Sequence, residues 1–290
     1  MTFYVIGNGF DRHYGLPTGY YDFKLFLLAN GYGNLVRKVD NLFSERYFNV
    51  EEVKWWSDFE NMLTVFGQLF DDEIYEEAMD NAETDDDRAG YWDSPAWNVD
   101  YYNQYIQVLK QQFDLWIKTM NTDIFPDDYF VPRYGDRILT FNYTRTIEDN
   151  FDTNGIKIYH IHGTVGEEII LGHNEYRKPD YMRVIEYEDA AYRATTCRNA
   201  VNEVLERASI LYYKNSPEIL MRYKPVFDSI EYYDKVVFMG LSCGEQDHAY
   251  IYEIIKHTRH IVFYYRGENA RENMERLTFG TGINVEYIPW

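Results

Sequence analysis

The chain of 290 residues carries 48 acidic side chains against 28 basic ones, a net charge of −20. That balance disfavours a general nucleic-acid binder, because such proteins neutralise phosphates with Lys and Arg. Hydrophobic residues make up 46%, enough for a folded core, and the length admits one large domain or two small ones without disulfides or metals to hold it.

Residues 2–6 (TFYVI) form an apolar run ending at Gly7 and read as a buried strand. The loop GNGFDRHYGLPTG follows. The segment YYDFKLFLLAN has helical spacing, with Phe23, Phe26 and Leu27 on one face. Residues 35–70 read as helical, with Trp55, Phe59, Met62, Leu63 and Phe66 recurring at three and four. Residues 45–100 hold 17 Asp and Glu against 3 Lys and Arg, and their acidic part, 71–100, reads as a solvated insertion. A second amphipathic helix is expected over 101–120. Strand signals return at RILTF (137–141), KIYHIHG (157–163) and EIILGH (168–173). Residues 186–224 read as helical. DKVVFMGLS (234–242) is the strongest buried-strand signal, followed by helix 248–257, strand 260–265, helix 267–277 and strand 284–288.

This alternation predicts an α/β fold: a Rossmann-like parallel sheet with helices on both faces and helical insertions. A single domain over 1–290 is expected, with insertions at 43–130, which includes the acidic segment, and at 180–230. The opening MTFYVIGNGFD lacks the basic region and cleavage site of a signal peptide, and no run of apolar residues is long enough to span a membrane. Only Cys197 and Cys243 are present, with no CxxC pair. A zinc ribbon and a disulfide framework are thereby excluded, and a reducing cytoplasm is the expected compartment. The 29 Tyr and 18 Phe favour aromatic surfaces or self-association, so a homo-oligomer is a candidate.

Each chemistry-bearing motif follows a strand, where ligands bind in such sheets. The first is Gly7-Asn8-Gly9-Phe10-Asp11, then Gly15-Leu16-Pro17. Glycines directly after a strand let backbone N–H groups approach a phosphate, or simply make a tight turn. Arg12 occupies the third glycine position of GxGxxG, so the dehydrogenase fingerprint is not met. In Thr140-Phe141-Asn142, the Asn either orients a ribose hydroxyl or water, or caps the helix TIEDNF. His160 and His162 alternate, which predicts both imidazoles on one face of the strand, ending at Gly163. Two such histidines suit a general base or a metal site. A metal would need a third ligand such as His173, and none is expected. Gly240 admits a ligand, Ser242 can bond a ribose or phosphate, and Asp247 reads as a helix cap. GLSCG matches a nucleophile elbow, but roughly 40 residues follow it, too few for the usual strands and triad. Asp58 and Glu60 read as a solvated helix face or as carboxylates reaching a nucleotide cleft.

Together these segments resemble a known pattern. GNGFDRHYGLP resembles the sirtuin-type opening GAGxSxxxGIP, and FNYT, HIHG and FMGLSCGEQD resemble later motifs of the sirtuin-like superfamily in the same order. With GLPTGY and WWSDFE added, the chain looks like the AbiH family of phage abortive-infection proteins. The resemblance implies a Rossmann-like NAD-binding core and cleavage of NAD at the nicotinamide–ribose bond. Carried over, Gly7 and Gly9 would cradle the pyrophosphate, with Asn8, Phe10, Asp11, Gly15 and Pro17 around them. Asn142 would position water or a ribose hydroxyl, and His162 would be the base. Thr140, His160, Gly163, Gly240, Ser242 and Asp247 would complete the nucleotide site. His162 is preferred to His160 because it precedes Gly163 at the strand end, leaving His160 a deeper supporting residue. The sirtuin zinc cysteines are absent, so deacylation is not expected. Asp11 stands where sirtuins carry Ser, and Thr144 where relatives often carry Asp. The expected partners are a nucleotide and a phage trigger, with neither DNA nor a membrane. Two alternatives stay open: a non-catalytic nucleotide sensor, and a metal-dependent hydrolase using His160 and His162.

Overall fold

A computed structural model describes residues 1–46, 56, 58–64, 66, 88–175 and 189–290. In chain order its elements are β1 (Thr2–Ile6), α1 (Asn8–His13), α2 (Tyr20–Ala29), α3 (Gly33–Arg46), α4 (Phe59–Met62), α5 (Arg88–Thr119), β2 (Arg137–Thr140), α6 (Thr146–Asn150), β3 (Lys157–His160), α7 (Asp189–Leu211), α8 (Ser216–Arg222), α9 (Lys224–Asp228), β4 (Lys235–Met239), α10 (His248–Lys256), β5 (His260–Tyr265), α11 (Glu268–Thr278) and β6 (Asn284–Pro289). The chain divides into two compact units. One comprises Met1–Asp22, Asp114–Ile170 and Lys214–Trp290; the other comprises Phe23–Phe113 and Leu171–Tyr213.

The first unit is built on a six-stranded sheet in the order β3-β2-β1-β4-β5-β6, with every neighbouring pair parallel. This is the strand order of the doubly wound Rossmann sheet, and its switch point lies between β1 and β4. Both faces are covered, which is why the central strands are apolar at successive positions rather than alternating. On one face Phe3, Val5, Leu139, Phe238 and Phe263 pack with Phe227, Ile251, Ile254 and Met274 from α9, α10 and α11. On the other, Ile6, Ile138, Val237 and Met239 pack with Phe10 of α1, Ile147 of α6 and Phe130. The register sets Ile6 opposite Thr140 and Met239, and Thr140 opposite His160.

Several expected boundaries move. The segment after β1 is not a loop: α1 starts one residue past Gly7. The strand expected over 157–163 ends at His160, because the chain turns there, with the Gly163 N–H donating to the His160 carbonyl at 3.2 Å. EIILGH is not a strand: Ile169 and Leu171 are buried from an irregular segment, and only an isolated bridge joins His173 to Tyr213. The helical stretch expected over 186–224 is interrupted before α8, where Asn215 is left-handed (φ 38°) and Pro217 follows. Of the expected helix over 35–70, residues 47–55, 57, 65 and 67–70 lie outside the described residues, as does 71–87 of the acidic segment.

In the second unit, Trp56 and Phe59 of WWSDFE belong to the core. Trp56 is fully buried, stacks on Phe59 at 5.3 Å and donates its indole N–H to Asp40 at 2.9 Å. Asp40 also pairs with the buried Lys24 at 2.8 Å. Asp58 and Glu60 belong to this unit, and the Asp58 carboxylate accepts a hydrogen bond from Asn61. Among the described residues, no helix is long and apolar enough to cross a membrane.

Candidate active site

The switch point is closed by backbone. The Gly7 N–H donates to the Met239 carbonyl at 2.9 Å, the Gly9 N–H to the Gly240 carbonyl at 2.7 Å, and the Phe10 N–H to the Gly7 carbonyl at 2.9 Å. A Cβ on Gly9 would lie 2.7 Å from the Gly240 oxygen, and one on Gly240 (φ +70°) would lie 2.1 Å from the Phe10 nitrogen. These glycines therefore serve the close approach of the loops after β1 and β4. The Gly7 and Gly9 amides, expected on a pyrophosphate, are already engaged with protein carbonyls. Phe10 is core. The exposed Asn8 donates its side-chain N–H to the Thr18 carbonyl at 2.8 Å, tying the start of α1 to the Gly15–Leu16–Pro17 turn.

Polar side chains gather one turn further on. Asp11 of α1 is 1% exposed, and its Oδ2 accepts from the Thr144 hydroxyl at 2.5 Å. The Thr146 hydroxyl donates to that of Thr144 at 3.1 Å. Beyond the end of β2, the Asn142 N–H donates to Thr140 Oγ1 at 3.1 Å. His160, at the end of β3, places Nδ1 2.9 Å from the Asn142 carbonyl and Nε2 2.8 Å from Glu148 Oε1. Tyr223 fixes the same residue from its backbone, donating to the His160 carbonyl at 2.9 Å. Among the described residues, three buried acceptors in this cluster find no hydrogen-bond partner: Asp11 Oδ1, Asn142 Oδ1 and Glu148 Oε2.

The electrostatics follow from burial. Loss of solvent pushes the Asp11 carboxyl up to about 6, against the pull of the Thr144 and Thr146 hydroxyls, the Asn142 amide and the nearby His160. Burial also raises the Glu148 carboxyl, but the hydrogen bond and charge of His160 outweigh it and leave Glu148 below its ordinary value. The cluster thus holds one carboxyl that titrates close to neutrality and one that stays ionised.

His162 does not share a face with His160. Once the strand has ended, its ring turns toward the opposite layer, edge-on to Phe141 at 5.5 Å and to Tyr250 of α10 at 5.4 Å. It is 2% exposed, and Nε2 lies 3.4 Å from the Tyr250 hydroxyl. Burial, with the Lys214 charge added, holds its imidazole well below the ordinary value, so the ring is neutral at physiological pH. Gly163 (φ +81°) has no room for a side chain, since a Cβ would meet the Glu168 carbonyl oxygen at 2.0 Å. Ser242 is exposed on the loop after β4, and its carbonyl accepts from Asn273 at 3.0 Å. Among the non-glycine residues of GLSCG, Cys243 (φ 54°) and not Ser242 is left-handed, and its thiol is buried and raised by desolvation. Asp247 ends a 3-10 turn immediately before α10. Among the described residues, no group of three or more His, Cys, Asp or Glu side chains could hold a metal ion.

The structure therefore brings Asp11, Thr140, Asn142 and His160 together and sends His162 elsewhere. Sequence reasoning missed Glu148, Thr144 and Thr146 as members of the cluster. The only linear signal for them is their position just after FN at a strand end.

The fold and this cluster define a doubly wound α/β protein whose buried acid, amide and imidazole groups meet beyond the carboxyl ends of β1, β2 and β3. The chain belongs to the family described as bacteriophage abortive infection AbiH, whose model matches residues 3–265, and its role lies in abortive infection. No curated protein and no solved structure matches it.

Proposed function

We propose that this protein acts in abortive infection by binding NAD, or a related nucleotide, at the carboxyl ends of β1–β3 and hydrolysing its N-glycosidic bond. The observation that carries the reading is the set of buried acceptors, Asp11 Oδ1, Asn142 Oδ1 and Glu148 Oε2, that lack a donor among the described residues. Buried acceptors are costly unless something donates to them, and the hydroxyls of a ribose do. The likeness of the four motifs to those of sirtuin-like proteins supports the same choice of ligand. The pyrophosphate finds less support, since the Gly7 and Gly9 amides are occupied.

In this reading Asp11 is the base. Water attacks the anomeric carbon and gives its proton to the Asp11 carboxylate. The bond to the nicotinamide nitrogen breaks, and nicotinamide leaves neutral, so no acid is required. The oxocarbenium-like state between bond breaking and bond making is stabilised by the adjacent carboxylate. His162 fits this step less well, because its ring is enclosed by Phe141 and Tyr250.

The test is nicotinamide release from NAD by purified protein. Asp11→Asn should lower the rate by roughly 10²–10⁴ with the fold intact. Loss of rate in His162→Gln but not in Asp11→Asn would return the base role to His162. A second reading, nucleotide sensing without turnover, is favoured by the enclosure of Asp11 at 1% exposure. Nucleotide that co-purifies with protein unable to release nicotinamide would select it. Neither binding nor turnover would overturn both.

A further inference from the structure

The Asn142 peptide sits past the end of β2, so side chains hold it. Its N–H donates to Thr140 Oγ1 at 3.1 Å and its carbonyl receives His160 Nδ1 at 2.9 Å. Thr140 and His160 are register partners across β2 and β3, so one rung of the sheet supplies both ends of the clamp. His160 is held in turn by Glu148 at 2.8 Å. Glu148 stands on α6, a helix fixed by the buried Ile147 and by the Asn150 amide, which donates to the Thr122 and Thr146 carbonyls at 2.8 and 2.9 Å.

The proton positions follow from the bonds. A carbonyl oxygen only accepts, so Nδ1 of His160 carries a proton. Nε2 faces Glu148 Oε1, so the ring links a carboxyl group to a peptide carbonyl.

We infer that Glu148 is a positioning residue: acting through His160, it fixes the Asn142 peptide so that the Asn142 side chain and Asp11 face a ribose together. This rests on the reading of the cluster as a ribose site. It assigns Glu148 and His160 to orientation rather than to contact with the reacting atoms.

The experiment pairs two measurements on the full chain. Calorimetry with ADP-ribose reads the site, and ¹⁵N NMR of the His160 ring reads the tether. His160→Ala should weaken ADP-ribose binding by about tenfold, the worth of one buried hydrogen bond. His160→Asn, whose amide can still donate to the Asn142 carbonyl, should restore binding to within about threefold of wild type. In wild type Nδ1 should carry a proton hydrogen-bonded to the Asn142 carbonyl. In Glu148→Gln the Nε2 resonance should shift, because the Gln amide replaces the carboxylate that faces it. Equal weakening in His160→Asn and His160→Ala, at matched thermal midpoints, would overturn the inference. So would an unprotonated Nδ1 in wild type, or an Nε2 resonance that Glu148→Gln leaves unmoved. Failure of wild type to bind ADP-ribose would remove the ribose reading, while the NMR signature would still decide whether Glu148 holds the ring. If His160→Ala does not fold, the Glu148→Gln spectrum carries the test.

Discussion

An ionised carboxylate enclosed as fully as that of Asp11 is unfavourable for folding, and the direction of the effect with pH can be worked out. In the native state the group titrates at about 6, above its ordinary 3.8. Between those values the native state binds more protons than the unfolded chain. Stability therefore falls as pH rises from about 4 to about 6, and the loss persists above that range. Asp11→Asn keeps an oxygen that can accept from Thr144 and removes the charge. It should stabilise the protein at pH 7.5 by roughly 1–3 kcal/mol, with the gain disappearing at pH 4, as urea titrations at the two pH values would read. A gain of equal size at both values would mean that the charge of Asp11 is not what the native state tolerates. That a stabilising substitution is available at the centre of the cluster is what a functional carboxylate leads one to expect. At this scale the sequence was legible near the strand ends: Asp11 and Asn142 lie beyond β1 and β2, and His160 is the last residue of β3. Glu148 was not legible, because an acidic residue in the first turn of a short helix reads as a partner of the helix dipole. Nothing in the linear order pairs it with an imidazole twelve residues on. The expectation that His162 shares a face with His160 came from carrying the alternation of a strand past its last residue.

Among the elements, the junction of β1 and β4 is the most constrained. Gly7, Gly9 and Gly240 bring two strand ends into backbone contact at the point where the sheet reverses its winding. Gly240→Ala would force a Cβ against the Phe10 nitrogen at a left-handed φ, so both overlap and strain act against it. We expect a loss of about 3 kcal/mol or more, read as a lower urea midpoint. A near-neutral result would mean that the loops separate without cost. The same junction explains what the sequence could and could not disclose about its elements. Strands buried on both faces read as unbroken apolar runs, so β1, β4 and β5 stood out. EIILGH has the same appearance, but its buried Ile169 and Leu171 come from irregular chain, and burial without a ladder leaves the same pattern in the sequence. The helix α1 read as a loop because it has only six residues and follows a glycine, with a second glycine inside its first turn.

Across the whole molecule, the net charge of −20 argues against a general nucleic-acid binder. On the proposed function, NAD hydrolysis must stay low in a healthy cell. Asp11 is 1% exposed, so on that proposal the cluster is closed to a bulky substrate in this state. Opening it would need a conformational step, and a ligand or partner drives such a step only by binding the open state more tightly than the closed one. The expected outcome in cells follows. In bacteria expressing the wild-type chain, NAD should remain at control levels before infection and fall after phage is added, with plaque formation reduced. With Asp11→Asn, protein should accumulate to at least wild-type levels, because that substitution is stabilising at neutral pH, while both the NAD loss and the protection disappear. Protection that persists without NAD loss would favour the sensing reading. NAD loss in uninfected cells would show that the enclosed site is already open, and the requirement for a trigger would fall with it.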